Sequence, residues 1–478
     1  MAQYDIEYDE RLAPLLKPWR RDEDFFAGLR EQYDEEKASI GGLRRRRRRA
    51  ANMADQPLKT VSLIEKDGVL VWCDDVPELK DTVPNLDLGR RRRRFLRRAG
   101  FSVPQVAPPP LGSGPLLLTK TFPVLAPNKI VAAVGRVDQR LNPALGLTLN
   151  GKLRRLRANP NGSFFLDDIN AGGPFSGRTL VFVHGTFSNG TNMLGEFAAT
   201  PEGRSFLGRA LGGPKAYNNV LFFEHATLAV SPVINALELG RLLANASGQI
   251  DVIAHSRGGL IVRWWLEAFG KSLNVAAATP VRVVLAGSPI RGTSLAAPDK
   301  LQEVLNLVAN IGAFAKATMN LVGVANPFMW AAEALVEVVV SATGALARTP
   351  LLDGVVVLVP GLAGQSAVDN NHEINRLRLG PCAVTPQYFA VKVNFETADP
   401  EWKFWQYFRK EVIADAATNR IFPGPNDLVV DTDFMTDFGV PNLGLAGPPC
   451  DFQTRDDVWH CNYFRQKPTI DYIIASFP

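Results

Sequence analysis

From Arg178 onward the chain alternates short, nearly unbroken apolar runs with amphipathic stretches, and this constrains the fold more than any other feature. The runs are TLVFVHG (179–185), NVLFFEH (219–225), IDVIAHS (250–256), VRVVLAGS (281–288) and QYFAVKVNF (387–395). Between them lie PVINALELGRLLANA (232–246) and RGGLIVRWWLEAF (257–269), which have helical spacing. A strand apolar on both faces must be covered on both faces. Strands of that kind alternating with helices therefore predict an α/β fold with a mostly parallel sheet between two helical layers. In such sheets chemistry gathers where the strands end at their carboxyl side, so the residues just after each run are the ones to read.

The most informative of these junctions is Ile250-Asp-Val-Ile-Ala-His-Ser256-Arg-Gly-Gly-Leu260. A β-run ends at Ser256 and a helix starts at once. A serine on so sharp a turn is pushed out of the sheet with its hydroxyl exposed. The backbone there needs small neighbours, and Ala254, Gly258 and Gly259 supply them. This is the G-x-S-x-G nucleophile elbow with alanine in the first glycine position. Over five residues an ordinary serine N-cap would read the same way, so the flanking strand and helix carry the argument.

With this elbow the chain resembles the α/β-hydrolase superfamily, in its lipase-like branch with an A-H-S-x-G-G motif. The resemblance covers roughly 178–478, and residues 1–165 have no counterpart in it. It implies that His184-Gly185-Thr186-Phe187, after an earlier strand, shapes an oxyanion hole. One backbone N–H would come from Thr186 or Phe187 and the other from Arg257, the residue after the nucleophile. His184, Gly185, His255 and Gly258 then support the two motifs, and His225 is a strand-end residue. The loop Gly287-Ser288-Pro289-Ile-Arg-Gly292-Thr293 matches a G-[ST]-P-x-x-G-[ST] loop of lipase relatives and reads as support.

A serine hydroxyl needs a base, and the base needs a carboxylate to orient it. Superfamily order is serine, acid, histidine. Of the five histidines only His372 and His460 follow Ser256. His460, in DDVWHCNYF before the final helical stretch KPTIDYIIASF, is the expected base. His372 precedes the acid candidates and reads as the start of a helix. GPNDLVVDTDF (424–434) offers Asp427, Asp431 and Asp433 as the acid. The family pattern D-G-x-V favours Asp427, with Leu428 standing where the pattern has glycine.

The remaining chain is less informative. At 478 residues, 46% hydrophobic and 21% charged, it is long enough for two or three cores, at about 150 residues each. Residues 1–57 are expected to be a charged arm, 58–166 a small β-rich accessory domain, and 167–478 the hydrolase-like domain. Within 58–166, Lys66-Asp67-Gly68 is a hairpin signal, and NKIVAAVGRV and GSFFLDD look β-like. Between the GSP loop and the next strand, 299–349 is strongly apolar, with Glu333 and Glu337 its next charges after Lys316. It reads either as a cap over the serine or as a plain core helix pair. Trp402, Trp405 and Phe408 fall on one face of a helix expected at 401–413, which suits core packing better than an interface.

The runs Arg44–Arg49 and Arg90–Arg98 could meet the phosphates of an anionic membrane surface or of nucleic acid, or stay solvated. Arginine without interleaved aromatics argues poorly for nucleic-acid readout. Four cysteines without a C-x-x-C spacing, and no H-E-x-x-H, exclude a disulfide scaffold and the common zinc motifs. Neither a metal nor an organic cofactor is expected. With no basic-then-apolar leader and no 18-residue apolar span, a cytoplasmic, at most membrane-peripheral, protein is expected. The expected function is serine hydrolysis of a carboxylic ester with a hydrophobic acyl group. An acyltransferase, thioesterase or amidase would share the same triad, and a non-enzymatic tether on a hydrolase-like fold is the remaining alternative.

Overall fold

The computed structural model describes residues 58–66, 69–73, 116–123, 127–169, 173–270, 273, 280–296, 359–369, 371–378, 384, 386–396, 424–440 and 443–477. The arm 1–57, both arginine runs, the insertion 299–349 and the aromatic stretch 401–413 lie outside the described residues.

The chain divides into two compact units. In the first, β1 (Leu58–Lys66) lies between β2 (Val69–Cys73) and β3 (Leu116–Pro123), antiparallel to both. Lys66 pairs with Val69, which leaves two residues for the link, as the Asp-Gly hairpin signal requires.

The second unit, which begins at Val131, holds the large sheet. The elements in chain order from Pro127 on are α1 (Pro127–Leu141), β4 (Lys152–Ala158), β5 (Phe164–Asp168), β6 (Thr179–Val183), α2 (Gly190–Ala198), α3 (Pro201–Leu211), β7 (Asn219–Glu224), α4 (Pro232–Leu242), β8 (Ile250–His255), α5 (Gly258–Arg263), β9 (Val281–Ala286), α6 (Pro360–Ala363), α7 (His372–Arg378), β10 (Gln387–Phe395), β11 (Cys450–Arg455) and α8 (Lys467–Ser476). Eight strands pair in the order β11-β10-β9-β8-β6-β7-β4-β5. The pairs from β7 through β11 are parallel, and β4 runs antiparallel to both of its neighbours.

Residues alternate between the two faces of this sheet. Val181, Val183, Leu221, Phe223, Val252 and Ala254 face α4, α5 and α7. Leu180, Phe182, Val220, Phe222 and Ile253 face α2, α3 and α8. All five apolar runs read from the sequence are strands of this sheet, because each buries side chains on both faces.

Two expectations are corrected. NKIVAAVGRV is helical, not β-like: it lies in α1, where Val134, Val137, Asp138 and Leu141 are buried at helical spacing. The boundary expected after 166 falls inside β5. Strands β4 and β5 belong to the large sheet, because Leu153 joins one face of its core and Leu156 and Leu166 the other. The turn Asn159-Pro-Asn-Gly-Ser163 closes that hairpin, with Asn159 N–H donating to the Ser163 carbonyl at 2.7 Å.

Candidate active site

Strand β8 stops at His255 and α5 starts at Gly258, leaving Ser256 and Arg257 to make the whole turn. Ser256 has φ +54°, a left-handed conformation that costs a non-glycine residue roughly 1–2 kcal/mol. The surroundings enforce it. Ser256 N–H extends the ladder to the Ala286 carbonyl at 2.9 Å. A Cβ on Gly258 would sit 2.4 Å from the Val183 carbonyl oxygen, and one on Gly259 2.4 Å from Ser288 Oγ. The helix can pack this close to the sheet only because both positions are glycine. Gly185 lies so near the serine that a Cβ there would meet Ser256 Cβ at 2.7 Å.

The segment 424–440 brings in Asp427, which is fully buried and saturated with donors. Its Oδ1 accepts the N–H groups of Val429 (3.1 Å) and Val430 (2.8 Å). Its Oδ2 accepts from Tyr463 Oη at 2.9 Å and lies 2.7 Å from His460 Nδ1. His460 N–H also donates to the Asp427 carbonyl at 3.1 Å, so ring and backbone are held together. Gly287, at φ +54°, is where this pair crowds β9: a Cβ would meet the Tyr463 ring at 2.6 Å, Asp427 Oδ2 at 3.0 Å and His460 Nδ1 at 3.2 Å.

His255 ties the elbow to this pair. Its Nε2 is 2.8 Å from the His460 carbonyl, and the two rings are 4.9 Å apart. A carbonyl can only accept, so Nε2 carries the proton. Burial first, and then the neighbouring His460, push the His255 pKa down to about 3. The ring stays neutral, and the residue preceding Ser256 is fastened to the loop carrying His460.

On the other side of Ser256, Phe187 adopts φ +57°, and Thr186 Oγ1 accepts from Gln365 Nε2 at 3.0 Å. The Arg257 side chain does not point to solvent. It is fully buried, and its guanidinium reaches the Val230 carbonyl (2.5 Å), Asn235 Oδ1 (2.8 Å) and His225 Nδ1 (3.2 Å). His225 and His184 stack with centroids 3.9 Å apart, both buried.

Of the expected residues, Gly185 lies against Ser256, Gly258 against the Val183 and His184 carbonyls, and Asp427 pairs with His460, whose carbonyl is held by His255 next to Ser256. Asp431 is spoken for elsewhere. Its carboxylate accepts from Ser294 N–H (3.0 Å) and Oγ (3.2 Å), joining the GSP loop to the Asp427 loop, and burial raises its pKa. Asp433 is exposed in the turn that follows, and His372 is exposed in the first turn of α7.

Leu428, standing where the pattern has glycine, takes φ +84°. The backbone keeps the glycine-like shape even with a buried leucine in place. Two participants were not singled out in the sequence. Tyr463 lies only three residues past His460. Gln365 lies 179 positions from its partner Thr186, so no local pattern marks it.

Sheet order, helices on both faces and the strand–serine–helix turn define an α/β-hydrolase fold. The chain belongs to the family described as Domain of unknown function (DUF7379), whose model matches residues 159–478. No curated protein matches the chain. Among solved structures it is similar to lipase 1 from Pelosinus fermentans, at 15% identity over 63% of this chain and 97% of that one, with a TM-score of 0.34. It is also similar to a lipase-esterase related protein from Clostridium acetobutylicum, at 14% identity over 65% and 98%, with a TM-score of 0.29. A third is a gene product of Listeria innocua, at 10% identity over 62% and 92%, with a TM-score of 0.31. Among the described residues, no helix is long and apolar enough to cross a membrane.

Proposed function

We propose that the protein is a serine hydrolase of carboxylic esters, acting through Ser256, His460 and Asp427. The observation carrying this reading is the 2.7 Å contact of His460 Nδ1 with Asp427 Oδ2, fastened through His255 to a serine held at φ +54° on the strand–helix turn.

A carboxylate at Nδ1 requires the neutral ring to carry its proton there, which leaves Nε2 free to accept one. Ser256 Oγ attacks the ester carbonyl and gives its proton to His460 Nε2. Asp427 steadies the imidazolium that forms. The tetrahedral oxyanion accepts from the backbone N–H of Arg257 and from Thr186 or Phe187. Collapse of this intermediate expels the alkoxide, which takes the proton from His460, and Ser256 keeps the acyl group. Water, deprotonated by the same ring, then releases the acid.

The acyl group is proposed to be hydrophobic, on the strength of the apolar segment 299–349 following the GSP loop. The basic runs Arg44–Arg49 and Arg90–Arg98 would suit an anionic membrane surface. A fluorophosphonate probe tests the nucleophile. Wild type should label and Ser256→Ala should not, whereas a folded wild type that stays unlabelled defeats the reading. A chain-length series of nitrophenyl esters tests the acyl preference, and turnover of acetate alone would remove it.

A further inference from the structure

Arg257 presents a puzzle that the proposed chemistry leaves unanswered. Only its backbone N–H is needed at the elbow, yet its guanidinium is wholly buried. A buried cation is a costly way to fill a core, and an apolar side chain of the same volume is often neutral or stabilising. Part of the cost is met by the carboxylates of Asp138 and Glu373, whose charges act on the guanidinium. Burial lowers its pKa only to about 10, so it stays charged. Asp138 also accepts from the N–H groups of Thr227, Leu228 and Ala229, fixing the loop whose Val230 carbonyl receives the guanidinium.

The contacts beyond Arg257 run in one direction only. A guanidinium has no lone pair to offer, so its 3.2 Å contact with His225 Nδ1 makes that nitrogen the acceptor. The Ala226 carbonyl, 3.3 Å from the same nitrogen, is then a neighbour and not a partner. The His225 proton must sit on Nε2, which donates to the His184 carbonyl at 3.1 Å. His225 N–H in turn points at His184 Nε2 from 3.4 Å. That makes His184 Nε2 an acceptor and puts its proton on Nδ1, which donates to the Gly185 carbonyl at 3.0 Å. Burial holds both rings neutral, with pKa values below the usual histidine range. The Gly185 carbonyl and the Thr186 N–H are opposite ends of one planar peptide. Fixing the oxygen therefore fixes the direction of the N–H.

We infer that the Arg257 side chain is a positioning residue for the oxyanion site: by forcing the tautomers of His225 and His184 in sequence, it aims the Thr186 N–H toward the same point as Arg257's own backbone N–H. The inference rests on the reading of Ser256 as an acyl-transfer nucleophile. One residue then supplies one donor directly and sets the other through two imidazoles.

The experiment has two arms, which separate failure of the inference from failure of that reading. In the first, ring nitrogen shifts are measured on full-length Ser256→Ala protein, with and without Arg257→Met. The expected result is His225 protonated at Nε2 and His184 at Nδ1 in the parent, with that fixed pattern lost on Arg257→Met. The opposite tautomers in the parent overturn the inference, whatever Ser256 does. In the second, ester turnover and inhibition by a trifluoromethyl ketone, which forms a tetrahedral adduct, are measured on active protein.

Arg257→Met and His225→Leu should each lower kcat by about 100-fold, the usual effect of losing one oxyanion donor. KM should move less than threefold and ketone affinity should fall in step with kcat/KM, which a general loosening would not produce. His225→Gln keeps an acceptor and a donor on one side chain and should recover most of the loss. If Arg257→Met folds poorly, the His225 pair still decides: His225→Leu with wild-type kcat and ketone affinity overturns the inference. A wild type that neither labels at Ser256 nor binds the ketone overturns the hydrolase reading and, with it, the inference.

Discussion

The two walls flanking Ser256 use the same side chain to opposite ends. On one wall His460 faces a buried carboxylate, Asp427, at 2.7 Å. On the other, His184 and His225 stack on each other, with the Arg257 guanidinium against His225 and the Glu224 carboxylate 3.8 Å from His184 Nε2. Burial is the largest cause that lowers the pKa values of His184 and His225, and the Glu224 carboxylate only partly opposes it at His184. The charge beside the ring adds a second difference. A carboxylate stabilises the protonated ring and suits it to carry a proton in transit. A guanidinium and a second imidazole penalise the protonated ring and leave a fixed hydrogen-bonding spacer. His255, between the walls, belongs with the spacers. Burial first, and then the neighbouring His460, hold its pKa at about 3.

The sharpest way to break this comparison is to remove the carboxylate's charge. Asp427→Asn should lower kcat by about 10⁴-fold, because the amide favours the wrong imidazole tautomer. Asp431→Asn, which only weakens the tie to Ser294, should stay within about tenfold of wild type. Initial rates on a nitrophenyl ester check both. Equal losses in the two variants would mean that the carboxylate at His460 has no special part.

The second test concerns the neutral wall. His184, His225 and His255 each have a folded pKa below the ordinary value. Above about pH 6.5 the rings are neutral folded or unfolded, and their full contribution to stability is present. As pH falls below that value the unfolded chain takes up protons that the folded one refuses, so stability falls. The slope reaches up to about 1.4 kcal/mol per pH unit for each ring, or ~4 for the three together. His255's share is exhausted at about pH 3. Urea unfolding at pH 7, 6 and 5 should show this loss, and His255→Asn should flatten it by one ring's share. The raised pKa values of Asp138, Glu196, Glu373 and Asp431 act in the opposite sense, so the decisive reading is the difference between the two proteins: a slope between pH 7 and 5 that His255→Asn leaves unchanged would break the claim that this ring is held neutral.

How far each wall could be read from the sequence follows from how local its signals are. Ser256, Gly258 and the His184-Gly185 pair sit within short motifs whose backbone demands are local. Asp427 and His460 were reachable because chain order and a partial D-x-x-V pattern narrowed the choice. The Arg257–His225–His184 chain was not legible. It joins residues 32 and 41 positions apart, and the elbow motif speaks only for the backbone N–H of Arg257 and not for its side chain. Within the helix at 127–141, Ile130-Val-Ala-Ala-Val134 satisfies a strand pattern over five residues. Only the longer spacing to Asp138 and Leu141 reveals the buried helical stripe. Strands β4 and β5 are rich in charge, with Lys152, Arg154, Arg155 and Arg157 on one and Asp167 and Asp168 on the other, and their short apolar pattern does not tie them to the runs after Arg178.

Leu428 sharpens the comparison at a smaller scale, since the carboxylate wall holds its own strain. At φ +84° a glycine would relieve roughly 1–2 kcal/mol. The leucine side chain is fully buried, however, and its removal costs about 3–5 kcal/mol. Leu428→Gly should therefore destabilise by about 1–4 kcal/mol in urea unfolding, with kcat changed less than about threefold. A gain in stability would mean that backbone strain outweighs burial at this turn.

The smallest expected effect comes from Tyr463, which shares Asp427 Oδ2 with His460. Burial first, then the Asp427 charge, hold its pKa well above the ordinary range, so the phenol remains a donor at every assay pH. Two donors on one oxygen divide its charge. Tyr463→Phe removes the second donor and leaves Oδ2 to the imidazole alone. Loss of the anchor should loosen the carboxylate and lower kcat by about threefold to tenfold, less than the full worth of a hydrogen bond to a charged group, because the two backbone donors on Oδ1 remain. Initial rates on a nitrophenyl ester check this. A loss as large as that of Asp427→Asn would mean that the tyrosine, and not the pairing of the carboxylate with His460, sets the activity of this wall.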